Sequence, residues 1–184
     1  MIGEIKTEEV KWYAMYTKSR AEKKVAEELN SQGYTAYCPL EKKLKVWSDR
    51  KKWVEEPLFR GYIFVKMKLD QRYEVLNTHG AVCFVTFSGK MGSIPEKQID
   101  MIKTILDSEV DFEVNNETFE PGDVVEITHG RLHGFRGELV QLKNAKKVVI
   151  SVSSIQQNIM LEINPNYITK IGHASEFEGK DYNL

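Results

Sequence analysis

Residues 121–142 read PGDVVEITHGRLHGFRGELVQL, and this stretch decides the fold of the C-terminal part of the chain. Apolar residues recur at every second position over Val124–Thr128 and again over Glu138–Leu142. Between them lies a loop punctuated by Gly130, Gly134 and Gly137. Period-two strands on either side of a glycine-spaced loop predict the opening hairpin of a small twisted β-barrel. The glycines let the backbone take positive φ and pass close to a neighbour.

Working outward, Lys147–Ser153, Ile159–Ile163 and Tyr167–Ile171 read as further short strands. Together with the hairpin they make five strands between residues 119 and 172, which suits an SH3-like barrel close to the lower size limit for independent folding. The segment 173–184 has little apolar content and is expected to be a flexible tail. Upstream, residues 108–118 (SEVDFEVNNET) are acidic and polar and read as an interdomain linker.

Residues 1–107 follow a different pattern. Lys11–Thr17 predicts a strand. A helix follows, with Ser19 and Glu22 spaced as a capping box, Ala21, Val25, Ala26 and Leu29 as its apolar stripe, and Gly33 as its stop. Thr35–Leu40 reads as a strand, and Leu44–Trp47 with Lys52–Glu55 as a charged hairpin turning near Ser48–Lys51. Tyr62–Lys68 is the strongest strand, followed by a short helix near Gln71–Asn77 and a strand over Val82–Ser88. Pro95 opens a last helix carrying Ile99, Ile102, Ile105 and Leu106 at helical spacing. The order β-α-β-hairpin-β-α-β-α fits a ferredoxin-like, two-layer α+β domain.

Composition sets outer bounds. The 184 residues are 41% hydrophobic and 29% charged, ordinary for a water-soluble chain of one or two domains. The opening MIGEIKTEEVK has no hydrophobic signal core and no run of 18 apolar residues follows, so a cytoplasmic location is expected. Cys38 and Cys83 are too few for a disulfide framework and are expected to be buried free thiols. Charge is uneven: residues 1–107 carry 19 Lys and Arg against 15 Asp and Glu, whereas residues 108–184 carry 7 against 12. A basic first domain attached to an acidic second one suggests that only the first faces phosphate.

Three strands of the first domain are apolar on both faces. Trp12, Ala14 and Tyr16 alternate with Tyr13 and Met15; Tyr62 and Phe64 alternate with Ile63, Val65 and Met67; Val82 and Phe84 alternate with Cys83, Val85 and Phe87. The helices of a two-layer domain cover one sheet face only. An aromatic-rich face is therefore left for the hairpin, the small third helix or a partner, and a contiguous exposed patch of this kind marks an interaction site.

These residues also carry a resemblance. The glycine-loop hairpin resembles the KOW motif of transcription elongation factors and some ribosomal proteins. WYAMYTKSRAEKKVAEEL, YCPL, EEPLFRGYIFV and GAVCFVTF resemble the NusG N-terminal domain, in order and spacing. With the KOW segment, the resemblance spans about 160 residues. The variant LKVWSDRKKWVEEPLF is most similar to specialised NusG paralogues of the UpxY type, antiterminators of surface-polysaccharide operons. The resemblance implies a factor whose N-terminal domain docks on the β′ clamp helices of RNA polymerase and keeps the enzyme processive. It places that docking on the apolar face, and by motif on Tyr16, Tyr62, Phe64 and Phe84.

The resemblance further implies contact with the non-template DNA strand through basic residues around the first helix, matched here by Lys18, Arg20, Lys23 and Lys24. The hairpin stands out on its own composition: Lys42, Lys43, Lys45, Arg50, Lys51 and Lys52 are interleaved with Trp47 and Trp53, a combination typical of nucleic-acid surfaces. Upstream DNA or RNA is its expected partner. A specialised relative makes a second polymerase contact through a threonine-rich turn after the strong strand. Here that turn reads LDQRYEVL, with Gln71, Arg72 and Tyr73 as the polar groups in its place.

For the KOW half the resemblance implies a small-subunit ribosomal protein or the termination factor Rho as partner. The matching positions are Leu132, Phe135 and Ile155. Some paralogues refold this domain into helices; the β-branched run KVVISVSSI and the three loop glycines favour the barrel. No catalytic constellation is evident, and His129 and His133 sit in a glycine loop without the spacing of a metal site, so neither an enzyme nor a cofactor is expected. Nothing in the sequence calls for a membrane or a homo-oligomer. Three functions remain open: an operon-specific antiterminator, a housekeeping elongation factor linking polymerase to Rho or the ribosome, and a KOW-type rRNA-binding or ribosome-assembly protein.

Overall fold

The computed structural model describes residues 9–87, 89–108, 110–115, 122–142, 145–152 and 155–177. The chain divides into two compact units, residues 1–96 and 97–184. In the first unit the elements run β1 (Lys11–Thr17), α1 (Glu22–Ser31), β2 (Thr35–Tyr37), β3 (Leu40–Val46), β4 (Lys51–Pro57), β5 (Tyr62–Met67), α2 (Arg72–Leu76), β6 (Ala81–Phe84), β7 (Thr86–Phe87), β8 (Lys90–Met91) and β9 (Ser93–Ile94). The main sheet has the order β2-β5-β1-β6, with β9 also pairing β1, and every pairing in it is antiparallel. That is the ferredoxin-like arrangement expected from the sequence.

One face of this sheet is closed by helices. Tyr13 and Met15 from β1, Ile63, Val65 and Met67 from β5, and Phe84 from β6 form a buried cluster with Val25, Ala26 and Leu29 of α1 and Val75 of α2. Gly80, at φ +96°, lets the turn before β6 press on α1; a Cβ there would sit 2.9 Å from Val25 Cγ2. The β3–β4 hairpin forms a separate two-stranded sheet that extends beyond its expected arms at the base and turns at Trp47–Arg50, where the Trp47 N–H donates to the Arg50 carbonyl at 2.8 Å.

Helix α3 (Glu96–Leu106) opens the second unit and buries Gln98, Ile99, Met101, Ile102 and Ile105. The Gln98 amide donates to the Ser151 carbonyl at 3.3 Å. Strands β10 (Phe112–Asn115), β11 (Asp123–Ile127), β12 (Arg136–Leu142), β13 (Ala145–Val152), β14 (Gln157–Leu161) and β15 (Ile168–His173) form one antiparallel sheet in the order β10-β14-β13-β12-β11-β15. The loop glycines act as expected. Gly130 (φ +79°) and Gly134 (φ +85°) take the left-handed turn positions, and a Cβ on Gly137 would lie 2.5 Å from the Val149 carbonyl oxygen.

Several expectations need correction. The polar segment 108–118 is not linker throughout, because residues 112–115 pair with β14 and Glu113 bridges to Lys147 at 3.0 Å. Ser19 and Glu22 do not form a capping box: α1 is preceded by Ala21 without a side-chain cap, and Glu22 is used elsewhere. The predicted strand Val82–Ser88 breaks after Phe84, and Thr86–Phe87 pairs with β8 in a different sheet. Of the predicted tail, Ala174–Phe177 forms a 3-10 turn whose Phe177 ring lies against Gly172. Ser88, Ser153, residues 116–121 and the tail from 178 onward lie outside the described residues.

Candidate nucleic-acid interface and docking face

Register decides which aromatic residues share a face. Ala14 pairs Phe64, Tyr16 pairs Tyr62, and Tyr16 on its other side pairs Cys83. Directly opposed residues point to one side of a sheet, so Tyr62, Tyr16 and Cys83 form a strip across three strands on the face away from α1. The two tyrosine rings lie 4.3 Å apart at their centroids, tilted by 37°, and their hydroxyls are hydrogen-bonded to each other. Tyr16 is 40% exposed, a large ring open to solvent in the middle of a sheet. Burial, followed by the hydrogen bond to Tyr16, pushes the Tyr62 phenol well above its ordinary range.

Two of the four residues assigned to docking are not on the exposed strip. Phe64 shares this face but is fully buried, with Phe59 edge-on at 6.0 Å and Tyr37 stacked at 6.4 Å. Phe84 belongs to the opposite face: it pairs Met15, meets Tyr13 edge-on at 6.4 Å and is part of the helix-covered core. Alternation within a strand fixes which residues point together, not which side they point to. Cys83, expected to be buried, is exposed on the strip, whereas Cys38 is half-buried and its thiol is pushed up to about 12 by burial and the nearby Glu22 carboxylate. Sequence reasoning did not single out Cys83 as part of the site; its opposition to Tyr16 becomes visible only through the register.

Next to the strip, the start of α1 and the base of the hairpin enclose an open groove of about 630 Å³. Arg20, Lys23, Lys45 and Arg60 line it, with Thr17, Glu22, Glu56 and Gly61 among the remaining walls. Glu22 is buried and does not oppose a ligand freely, because its carboxylate accepts the Gly61 N–H at 2.7 Å. That bond ties α1 to the residue immediately before Tyr62. Lys45 is hydrogen-bonded to Glu56 and holds that carboxyl below the usual carboxylate range. Lys23 reaches Glu55 at 4.0 Å. Arg20 takes φ +64°, uncommon for a side chain other than glycine, at an exposed corner of the groove.

Thus Arg20, Lys23 and Lys45 converge on one groove, joined by Arg60, which had not been singled out. Lys18 and Lys24 are exposed outside its lining. Lys43 is paired to Glu41 at 2.8 Å. Arg50, Lys51 and Lys52 sit at and beside the hairpin turn, the Arg50 guanidinium 5.7 Å from the Trp47 ring. Beyond β5, Arg72 stacks over Tyr73 at 4.2 Å and donates to its hydroxyl.

In the barrel, the glycine loop is closed by Gly134 N–H to the Ile127 carbonyl at 2.7 Å and Ile127 N–H to the Phe135 carbonyl at 2.8 Å. Leu132 and Ile155, expected to meet a partner, are buried; Phe135 is half-buried and alone of the three presents surface. His129 stacks on Tyr167 at 5.1 Å. No cluster of metal-ligating side chains occurs among the described residues, and none of their helices is long and apolar enough to cross a membrane.

A ferredoxin-like α+β unit followed by a glycine-loop β unit is the fold class that the sequence resemblance to the NusG N-terminal and KOW domains implies. The family described as "Transcription termination factor nusG" matches residues 10–103, and the chain belongs to that family. The "Transcription termination/antitermination protein NusG" of Rickettsia typhi is 26% identical over 171 residues, covering 86% of this chain and 89% of that protein. The protein of the same description from Streptococcus pyogenes serotype M3 is 30% identical over 150 residues, covering 73% and 82% respectively. Among solved structures, "Domain interaction in Thermotoga maritima NusG" shares the fold with a TM-score of 0.54 at 22% identity, covering 89% of this chain and 98% of that one.

Proposed function

We propose that this NusG-family protein is an antitermination factor that binds RNA polymerase through the Tyr62–Tyr16–Cys83 strip and keeps it processive on particular operons. The observation that carries the reading is the exposed, mutually hydrogen-bonded tyrosine pair on the sheet face that α1 leaves uncovered. Amphipathic rings held rigidly by each other and half open to water are suited to anchoring a protein–protein contact. The β′ clamp helices are the proposed partner, as the family resemblance implies.

The groove at the start of α1 extends the same surface with Arg20, Lys23 and Arg60, and exposed DNA beside the polymerase is its proposed occupant. Phosphate attraction makes that contact steeply salt-dependent. Operon specificity of the polysaccharide type rests on the hairpin segment 44–59, whose sequence resembles specialised paralogues. The housekeeping alternative, a bridge to Rho or a ribosomal protein, relies on the barrel, where burial of Leu132 and Ile155 leaves Phe135 as the accessible contact.

Capture of core polymerase on immobilised protein tests the reading. Tyr16→Ala/Tyr62→Ala is expected to lose capture while keeping a wild-type unfolding curve. Equal recovery by wild type and this variant rejects the strip. Loss of distal transcripts from one operon in a deletion strain, with others unchanged, is the expected sign of specialisation; a uniform change across the genome supports the housekeeping role.

A further inference from the structure

The β3–β4 hairpin forms a sheet of its own, apart from the main one, and register sorts its side chains between two faces. Glu41, Lys43, Lys45, Lys52, Val54 and Glu56 share one face, where Lys43–Glu41 and Lys45–Glu56 neutralise each other. The other face carries Lys42, Leu44, Val46, Lys51, Trp53 and Glu55. Its apolar members are unusually bare: Trp53 and Val46 are each 65% exposed, Leu44 46%, and Trp47 at the turn 42%. Lys42 and Lys51 flank them and make no ion pair among the described residues, while Glu55 leans to Lys23.

We infer that this tryptophan face is a stacking platform for single-stranded DNA. Indole planes ringed by ammonium groups take bases on the rings and phosphates on the charges. Bases inside a duplex are already stacked on their neighbours, so a flat face of this kind selects unpaired strands. Leu44 and Val46 beside Trp53 match the thymine methyl. Uracil lacks that methyl, which favours thymine-bearing DNA over RNA. The inference rests on the reading of the hairpin as nucleic-acid-facing and adds the strand type and the stacking residue.

Fluorescence anisotropy of labelled oligothymidylate with the full-length chain tests it, with oligouridylate and duplex DNA of equal length as comparisons. Trp53→Ala is expected to weaken oligothymidylate binding by about 5- to 100-fold, with duplex binding unchanged. Trp53→Phe is expected to restore most of the affinity, separating stacking from folding. Lys42→Ala/Lys51→Ala is expected to weaken single strand and duplex together and to flatten the salt dependence. Wild-type affinity in Trp53→Ala overturns the platform, and if the lysine variant alone is weakened the broader phosphate-contact reading survives. Absence of any DNA binding by the wild type removes both. Oligouridylate bound as tightly as oligothymidylate overturns the assignment to DNA. Loss of polymerase capture in Trp53→Ala with DNA binding intact makes the face a protein contact and overturns the inference as well.

Discussion

The two faces of the main sheet are built from similar side chains but end differently. On the helix-covered face, Tyr13, Met15, Ile63, Val65, Met67 and Phe84 are all buried, and nothing changes along the strands. On the other face exposure rises toward one end: Trp12, Ala14 and Phe64 are sealed, whereas Tyr16 is open and Tyr62 half-open. Hydrophobicity alone therefore does not mark the proposed docking surface. What marks it is where covering stops, and on this face it stops at the pair whose hydroxyls satisfy each other.

The sharpest way to break this contrast is to truncate one ring on each side of the boundary. Phe64→Ala is expected to destabilise the protein by about 3–5 kcal/mol in denaturant unfolding, as for other buried aromatic residues. Tyr16→Ala should leave unfolding nearly unchanged while losing polymerase capture. Comparable loss of stability in both variants would erase the distinction. A smaller effect is expected where the strip is anchored. Glu22→Ala leaves the Gly61 N–H without its partner and should cost about 1–3 kcal/mol, with Glu22→Gln recovering most of it because an acceptor oxygen remains. Since Gly61 precedes Tyr62, the alanine variant should also weaken polymerase capture.

pH gives a subtler probe. Because the Tyr62 phenol titrates higher in the folded chain than in the unfolded one, folding retains its proton where the unfolded chain loses it. The stability linked to Tyr62 is complete below the ordinary tyrosine value of about 10 and is lost as pH rises above it. Ultraviolet titration should show Tyr62 ionising late, alongside Tyr34, whose hydrogen bond to Glu74 also raises it. Tyr16→Phe should shift only the Tyr62 component back downward by removing its second-largest cause. The smallest perturbation is chemical: Cys83 should react quickly with a thiol reagent at neutral pH, and Cys38, whose thiol is pushed up to about 12, slowly.

Much of the fold was legible from local pattern. The spacing of Gly130, Gly134 and Gly137 carried the barrel hairpin: the first two take positive φ, and the third lets the Val149 carbonyl of the neighbouring strand come close. Alternation in β1 and β5 carried the sheet. The misreadings share a cause in long-range pairing. Phe84 alternates correctly within its strand, but only its pairing with Met15 reveals that it faces the helices. Glu22 stands at capping spacing from Ser19 yet spends its carboxylate on Gly61, 39 residues away in sequence. Residues 112–115 look like linker because an edge strand turns Glu113 outward, where Lys147 meets it. In the site, Tyr16 and Tyr62 could be found by alternation, while Arg60 and Cys83 join only when the strands are laid side by side.

Cys83 offers the most direct footprint of the proposed docking face, since it lies against Tyr16 and needs no mutation to report. Its alkylation rate should be measured in free protein and in a saturated complex with core RNA polymerase. The account predicts that polymerase slows Cys83 to the sluggish rate of Cys38 and that Tyr16→Ala/Tyr62→Ala abolishes this protection. A complex that forms fully while Cys83 reacts as fast as in the free chain would contradict it.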